Sequence, residues 1–124
     1  MPMRAVLIAL SLVLVPATAS AMSMSFSWGP TKKCLDTKSP PIVLSDVPSG
    51  TKTLKFKMVD LNYLSFNHGG GTVRYSGRNE LPYGAFRYKG PCPPSMHYYQ
   101  MTVDAFDANG KKLATAKARQ SYQK

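Results

Sequence analysis

Acid is scarce in this sequence: Asp36, Asp46, Asp60, Glu80, Asp104 and Asp107 are its only carboxylate side chains, and His68 and His97 its only imidazoles. So few proton-transfer groups leave few catalytic schemes to assemble. No Gly-x-Ser-x-Gly elbow, His-Glu-x-x-His pair or Gly-x-x-x-x-Gly-Lys loop occurs, so the common signatures of serine hydrolases, zinc proteases and P-loop nucleotide enzymes are missing. Two cysteines, Cys34 and Cys92, lie too far apart for a zinc knuckle. Nowhere does apolar spacing follow a long amphipathic helix. After Val15 no apolar run approaches the ~20 residues that span a bilayer.

The first residues are of a different kind. Arg4 is followed by the unbroken apolar run Ala5–Val15, then by Pro16 and the small-residue sequence Ala19-Ser20-Ala21. This is the pattern of a secretory leader cut after Ala21, with 22–124 left as a single domain. The expected location is periplasmic or secreted. Losing Arg4 lowers the net charge from +10 to +9. Such a surplus either keeps a small exported domain soluble or concentrates anions around it. In an oxidising compartment the default for Cys34 and Cys92 is one disulfide.

Short alternating runs separated by Gly, Pro and Asn-Gly predict an all-β, antiparallel sandwich. Met24, Phe26 and Trp28 alternate with serines. In Thr53–Asp60, Leu54, Phe56 and Met58 share one face while Lys55 and Lys57 share the other. Residues 71–77 and 85–89 are further strand candidates. His97–Phe106 is a long strand that puts His97, Tyr99, Met101, Val103 and Ala105 on one side. Its inner face therefore opens with an imidazole and a phenol before becoming ordinary core. Ala108-Asn109-Gly110 predicts a hairpin turn, and the tail beyond it suits either a returning strand or a helix.

Three segments stand out: Ser39-Pro40-Pro41 leading towards Asp60, Phe66-Asn67-His68-Gly69-Gly70-Gly71, and Gly90-Pro91-Cys92-Pro93-Pro94-Ser95-Met96-His97-x-Tyr99. On these, and on Leu81-Pro82-x-Gly84, the chain resembles the phosphatidylethanolamine-binding protein family, particularly its bacterial Raf-kinase-inhibitor-like branch. The resemblance implies a Greek-key β-sandwich with a small anion pocket. It implies that His97 and Tyr99 are the family's late His-x-Tyr pair, that Asp60 is the first aspartate of its Asp-Pro-Asp segment, and that His68 stands for the histidine after it. Pro93 and Pro94 would wall the mouth. Here Asp-Pro-Asp has become Asp60-Leu61-Asn62.

A protonated imidazole and a phenol both donate to an anion, and charge-assisted bonds are the strong ones. The expected ligand is a phosphoryl anion or a phospholipid head group, with an anionic membrane surface or a protein as further partners. Neither nucleic acid nor a cofactor is expected. Glycines 69–71 suit either a plain flexible turn or an anion-binding nest. Three other readings stay open: a protein-interaction or inhibitor module, a small ribonuclease using Glu80, His97 and Arg74 or Arg78, and a copper site drawn from Met22, Met24, Met96 and His97.

Overall fold

The structure is a computed structural model that describes residues 1–3, 5–13 and 21–123. Arg4, Pro16 and the Ala19-Ser20 part of the expected cleavage sequence lie outside the described residues. Residues 5–13 carry no regular structure, and Val6, Leu7, Ile8, Leu10, Leu12 and Val13 are exposed.

Among the described residues, seven strands make two antiparallel sheets: β1 (Ser23–Phe26), β2 (Ile42–Ser45), β3 (Thr53–Asp60), β4 (Asn67–Arg74), β5 (Glu80–Leu81), β6 (His97–Phe106) and β7 (Lys112–Tyr122). The smaller sheet has the order β1-β2-β5 and the larger β4-β3-β6-β7. β6, far from β3 in sequence, inserts beside it, and β7 returns along β6 through the expected turn. The tail is thus a strand. Its neighbour supplies the reason: pairing with β6 over nearly its whole length satisfies backbone groups that an isolated short helix leaves to water.

Alternation decides which side chains enter the core. Leu54, Phe56 and Met58 from β3 and Tyr99, Met101, Val103 and Ala105 from β6 are buried, facing Met24, Phe26, Ile42 and Leu44 of the small sheet. Burying each larger apolar side chain stabilises the fold by roughly 1.5–3 kcal/mol. Met22 and Met24 belong to this core, so they are not the soft ligands of a copper site. Trp28 closes one side edge-on against Tyr99 and Tyr122, while its indole donates to the Ser121 carbonyl at 2.7 Å.

Two local expectations change. Residues 69–71 are not a turn or a nest but part of β4. A Cβ on Gly70 would collide with the Phe56 carbonyl, and one on Gly71 would stand 2.7 Å from Phe86 Cβ. Gly70 and Gly71 are glycine because backbone and an aromatic ring press against them, and Gly69 because its φ of 70° lies in the left-handed region. Residues 85–89 do not form a strand. They make one bridge, Lys38 to Arg87, and are held by Ser39, whose hydroxyl accepts from the Phe86 amide at 3.0 Å. Even so, Phe86 and Tyr88 face inward and Arg87 and Lys89 outward. The proline-rich segment around buried Ser39 and Pro40 is therefore a structural brace.

The Tyr88 hydroxyl is buried and meets no protein partner among the described residues. Burial first, and then the Asp36 charge, raise this phenol above its ordinary value. Below about pH 10 both folded and unfolded chains keep the proton. Above it the unfolded chain ionises first, so stability falls as pH rises. Tyr88→Phe is expected to be neutral or to gain about 1 kcal/mol at pH 7. It should also flatten the alkaline loss, read as denaturant midpoints at about pH 7, 9 and 11.

Candidate functional site

The end of β3 and the start of β6 place the first part of the site. Antiparallel pairing sets Asp60 opposite Tyr99, so Asp60, His97 and Tyr99 point to the same inner face. The Asp60 side chain is almost wholly buried. Its Oδ2 accepts from His97 Nδ1 at 2.6 Å, and its Oδ1 accepts from the Asn62 amide at 2.8 Å. A carboxylate can only accept, so the His97 proton sits on Nδ1 and Nε2 is the position left for a guest. Asp60 orients the ring and has both oxygens occupied.

Asn62, where the resemblance implied an aspartate, has a different task. Its Oδ1 accepts from the Tyr98 amide at 2.7 Å, and the Leu61 amide donates to the Tyr98 carbonyl at 2.8 Å. The tight turn after β3 is thus stitched to the start of β6, and the amide side chain replaces the stiffness of a proline.

His68 arrives from β4. Its Nδ1 donates to the Lys89 carbonyl at 2.7 Å, while the Lys89 amide donates to the His68 carbonyl at 2.8 Å. A carbonyl, like a carboxylate, only accepts, so this second imidazole is also held through Nδ1 with Nε2 uncommitted. Both imidazoles pack around one phenol. The Tyr99 ring centroid lies 5.4 Å from that of His68 and 6.5 Å from that of His97. Burial, followed by the charge on Asp60, raises the Tyr99 phenol above its usual value. It keeps its proton at neutral pH and acts as a donor.

The third part is the segment after Gly90. Cys34 and Cys92 form a disulfide with their Cα atoms 4.8 Å apart. It fixes the Gly90–Pro94 wall to the loop that carries Leu35. Gly90 is required here, because a Cβ would stand 2.7 Å from the Asp36 carbonyl. Leu35 has a φ of 54°, a left-handed conformation that costs a branched side chain roughly 1–2 kcal/mol and turns it to the mouth. Beneath it Asp36 accepts a short hydrogen bond from Tyr83, the main reason its carboxyl titrates below the usual range.

Asp60, His68, Pro93, Pro94, His97 and Tyr99 all line one pocket of about 270 Å³. Leu35, Tyr63, Phe66 and Cys92 complete it. The signal for Tyr63 and Phe66 lay in the sequence as apolar side chains inside a polar turn, though without a partner pattern to place them. Neither Glu80 nor an arginine lines this pocket: Glu80 lies on β5 opposite Val43, and Arg74 projects from β4 opposite Thr53. The set needed for a ribonuclease is therefore not assembled around His97.

A two-sheet antiparallel sandwich with a small, mostly apolar pocket holding two oriented imidazoles defines the class of protein. The same fold is found in a phosphatidylethanolamine-binding protein homologue from Chlamydia trachomatis, with a TM-score of 0.63 and 19% identity over 84% of this chain and 98% of that one. It is also found in YbcL of E. coli, described as a new member of the mammalian family of that name, with a TM-score of 0.61 and 18% identity over 85% of this chain and 99% of that one. No protein-family model matches the sequence, and no curated protein matches it either.

Proposed function

We propose that this chain is an exported, non-enzymatic member of the phosphatidylethanolamine-binding protein family whose pocket takes a small phosphoryl anion or a phospholipid head group. The observation that carries the reading is the pair of imidazoles, each held through Nδ1 and each with Nε2 uncommitted, beside a protonated phenol. An anion's oxygens suit protonated Nε2 donors and the Tyr99 hydroxyl. The apolar remainder of the wall suits the carbon part of a head group. Export is supported by the disulfide and by the exposed apolar residues 5–13, which join neither sheet. An intact mass beginning at Met22 for the secreted protein checks it.

A neutral imidazole held through Nδ1 offers a lone pair at Nε2, which repels an anion, whereas the protonated ring donates there. Donation at Nε2 is the contact on which affinity for phosphorylethanolamine is expected to depend. His97→Ala should weaken it by about tenfold or more, as expected for one charge-assisted hydrogen bond. Histidine NMR shifts measured during titration with phosphorylethanolamine and with inorganic phosphate provide the test. Unmoved histidine signals at millimolar ligand would sink the reading.

A further inference from the structure

The alternation that buries Leu54, Phe56 and Met58 turns Lys55 and Lys57 to the opposite, outer face of the large sheet. Strand register fills in the rest of that face. Lys55 lies opposite Thr72 on one side and Asp104 on the other, and Lys57 opposite Gly70 and Thr102. Across β6, Asp104 faces Thr115, Thr102 faces Lys117, and Gln100 faces Arg119. The cations thus form two rows: Arg74, Lys55 and Lys57 on β4 and β3, and Lys112, Lys117 and Arg119 on β7. β6 runs between them as a floor, with the β3 and β7 rows two strand spacings, about 10 Å, apart.

The floor and rims enclose a furrow of about 380 Å³. Asp104 is the lone acid in it, engaged by Lys112 Nζ at 3.6 Å and by the Thr115 hydroxyl at 2.6 Å. The other cations of the two rows have no ion-pair partner among the described residues. A furrow with positive rims and a single acid, already engaged by Lys112, attracts a linear polyanion.

We propose that this outer face binds a linear acidic polysaccharide laid along β6. Three features of the furrow choose among polyanions. Its lining holds no aromatic side chain, since the outward rings of β6, Tyr98 and Phe106, stand at the two ends of the strand beyond it, and single-stranded nucleic acids are gripped by stacking on such rings. It holds no apolar side chain to enter a bilayer either. Its floor does hold a carboxylate, Asp104, which would repel a bare polyphosphate but accept hydrogen bonds from sugar hydroxyls, and the hydroxyls of Thr102 and Thr115, which can donate or accept. A sugar chain alternating carboxylates or sulfates with hydroxyls meets ammonium groups at the rims and acceptors beneath. This site is on the opposite face of the sheet from the imidazole pocket, so its fate is independent of the pocket's.

The test titrates the full domain with a heparin-derived hexasaccharide and with an oligogalacturonate of similar length, reading backbone amide shifts. Shifts are expected on the outer-facing residues of β3, β6 and β7. Lys57→Glu with Lys117→Glu should weaken binding about tenfold or more, and raising salt from about 20 to about 150 mM should weaken it in the wild type. Lys32→Glu with Arg78→Glu changes the net charge equally away from this face and should leave affinity within about twofold, a contrast bulk charge cannot produce. Should the glutamate pair fail to fold, Lys57→Gln with Lys117→Gln reads the same contrast. Equal losses in the two double variants would overturn the proposal. So would shifts confined to the His68 and His97 pocket, or tighter binding to an oligothymidylate or to phosphatidylglycerol vesicles than to either sugar.

Discussion

Replacing Cys34 and Cys92 together by serine is expected to cost about 4 kcal/mol in the chain-entropy model, the largest stability effect of any substitution considered. The bond spans 58 positions, so its removal frees a long loop in the unfolded chain. A domain of this size is typically stable by only about 5–15 kcal/mol, so the loss is a large share of the whole. Denaturant unfolding of the double variant against the oxidised wild type measures it. The pocket should suffer as well, because Cys92 lines it and the bond ties the Pro93–Pro94 wall to Leu35. Phosphorylethanolamine affinity should therefore fall even at temperatures where the variant stays folded. A variant that unfolds at the wild-type midpoint would show that the sheets alone set the stability.

Asp60 is the second point of high leverage. Asp60→Ala removes the acceptor of the Asn62 amide and of His97 Nδ1 within a buried site, for an expected loss of about 3 kcal/mol and of pocket binding. Asp60→Asn separates structure from function. An asparagine can still accept from the Asn62 amide, but its NH₂ group faces His97 as a donor. The imidazole must then accept at Nδ1 and carry its proton on Nε2. Anion binding by the variant should persist, because neutral His97 already donates at the position facing the guest. Nitrogen-15 shifts of the ring report the tautomer directly. An unchanged tautomer would show that Asp60 does not orient His97.

Much of the site was legible because it follows from alternation. Once Thr53–Asp60 and His97–Phe106 are strands with known inner faces, Asp60, His97 and Tyr99 must point inward, whatever their partners. His68 was harder: its strand contains three consecutive glycines, which in isolation look like a turn. Only the closeness of Phe56 and Phe86 explains why side chains are excluded at Gly70 and Gly71. The short pairing of β5 with β2 was equally hidden, since two residues carry no periodic signal.

The sequence alone determined the alternating inner faces, the antiparallel all-β class, the excess of positive charge and the availability of two cysteines for one bond. These are properties of neighbouring residues, and a period of two is visible without a partner. The tertiary structure decided the rest. It put β6 between β3 and β7, matched His68 to the Lys89 carbonyl, gave Asn62 its hold on β6 and ranged six cations on either side of one strand. Those outcomes depend on long-range register, and register is settled by how the two inner faces fit together when the sheets close, which no local pattern encodes.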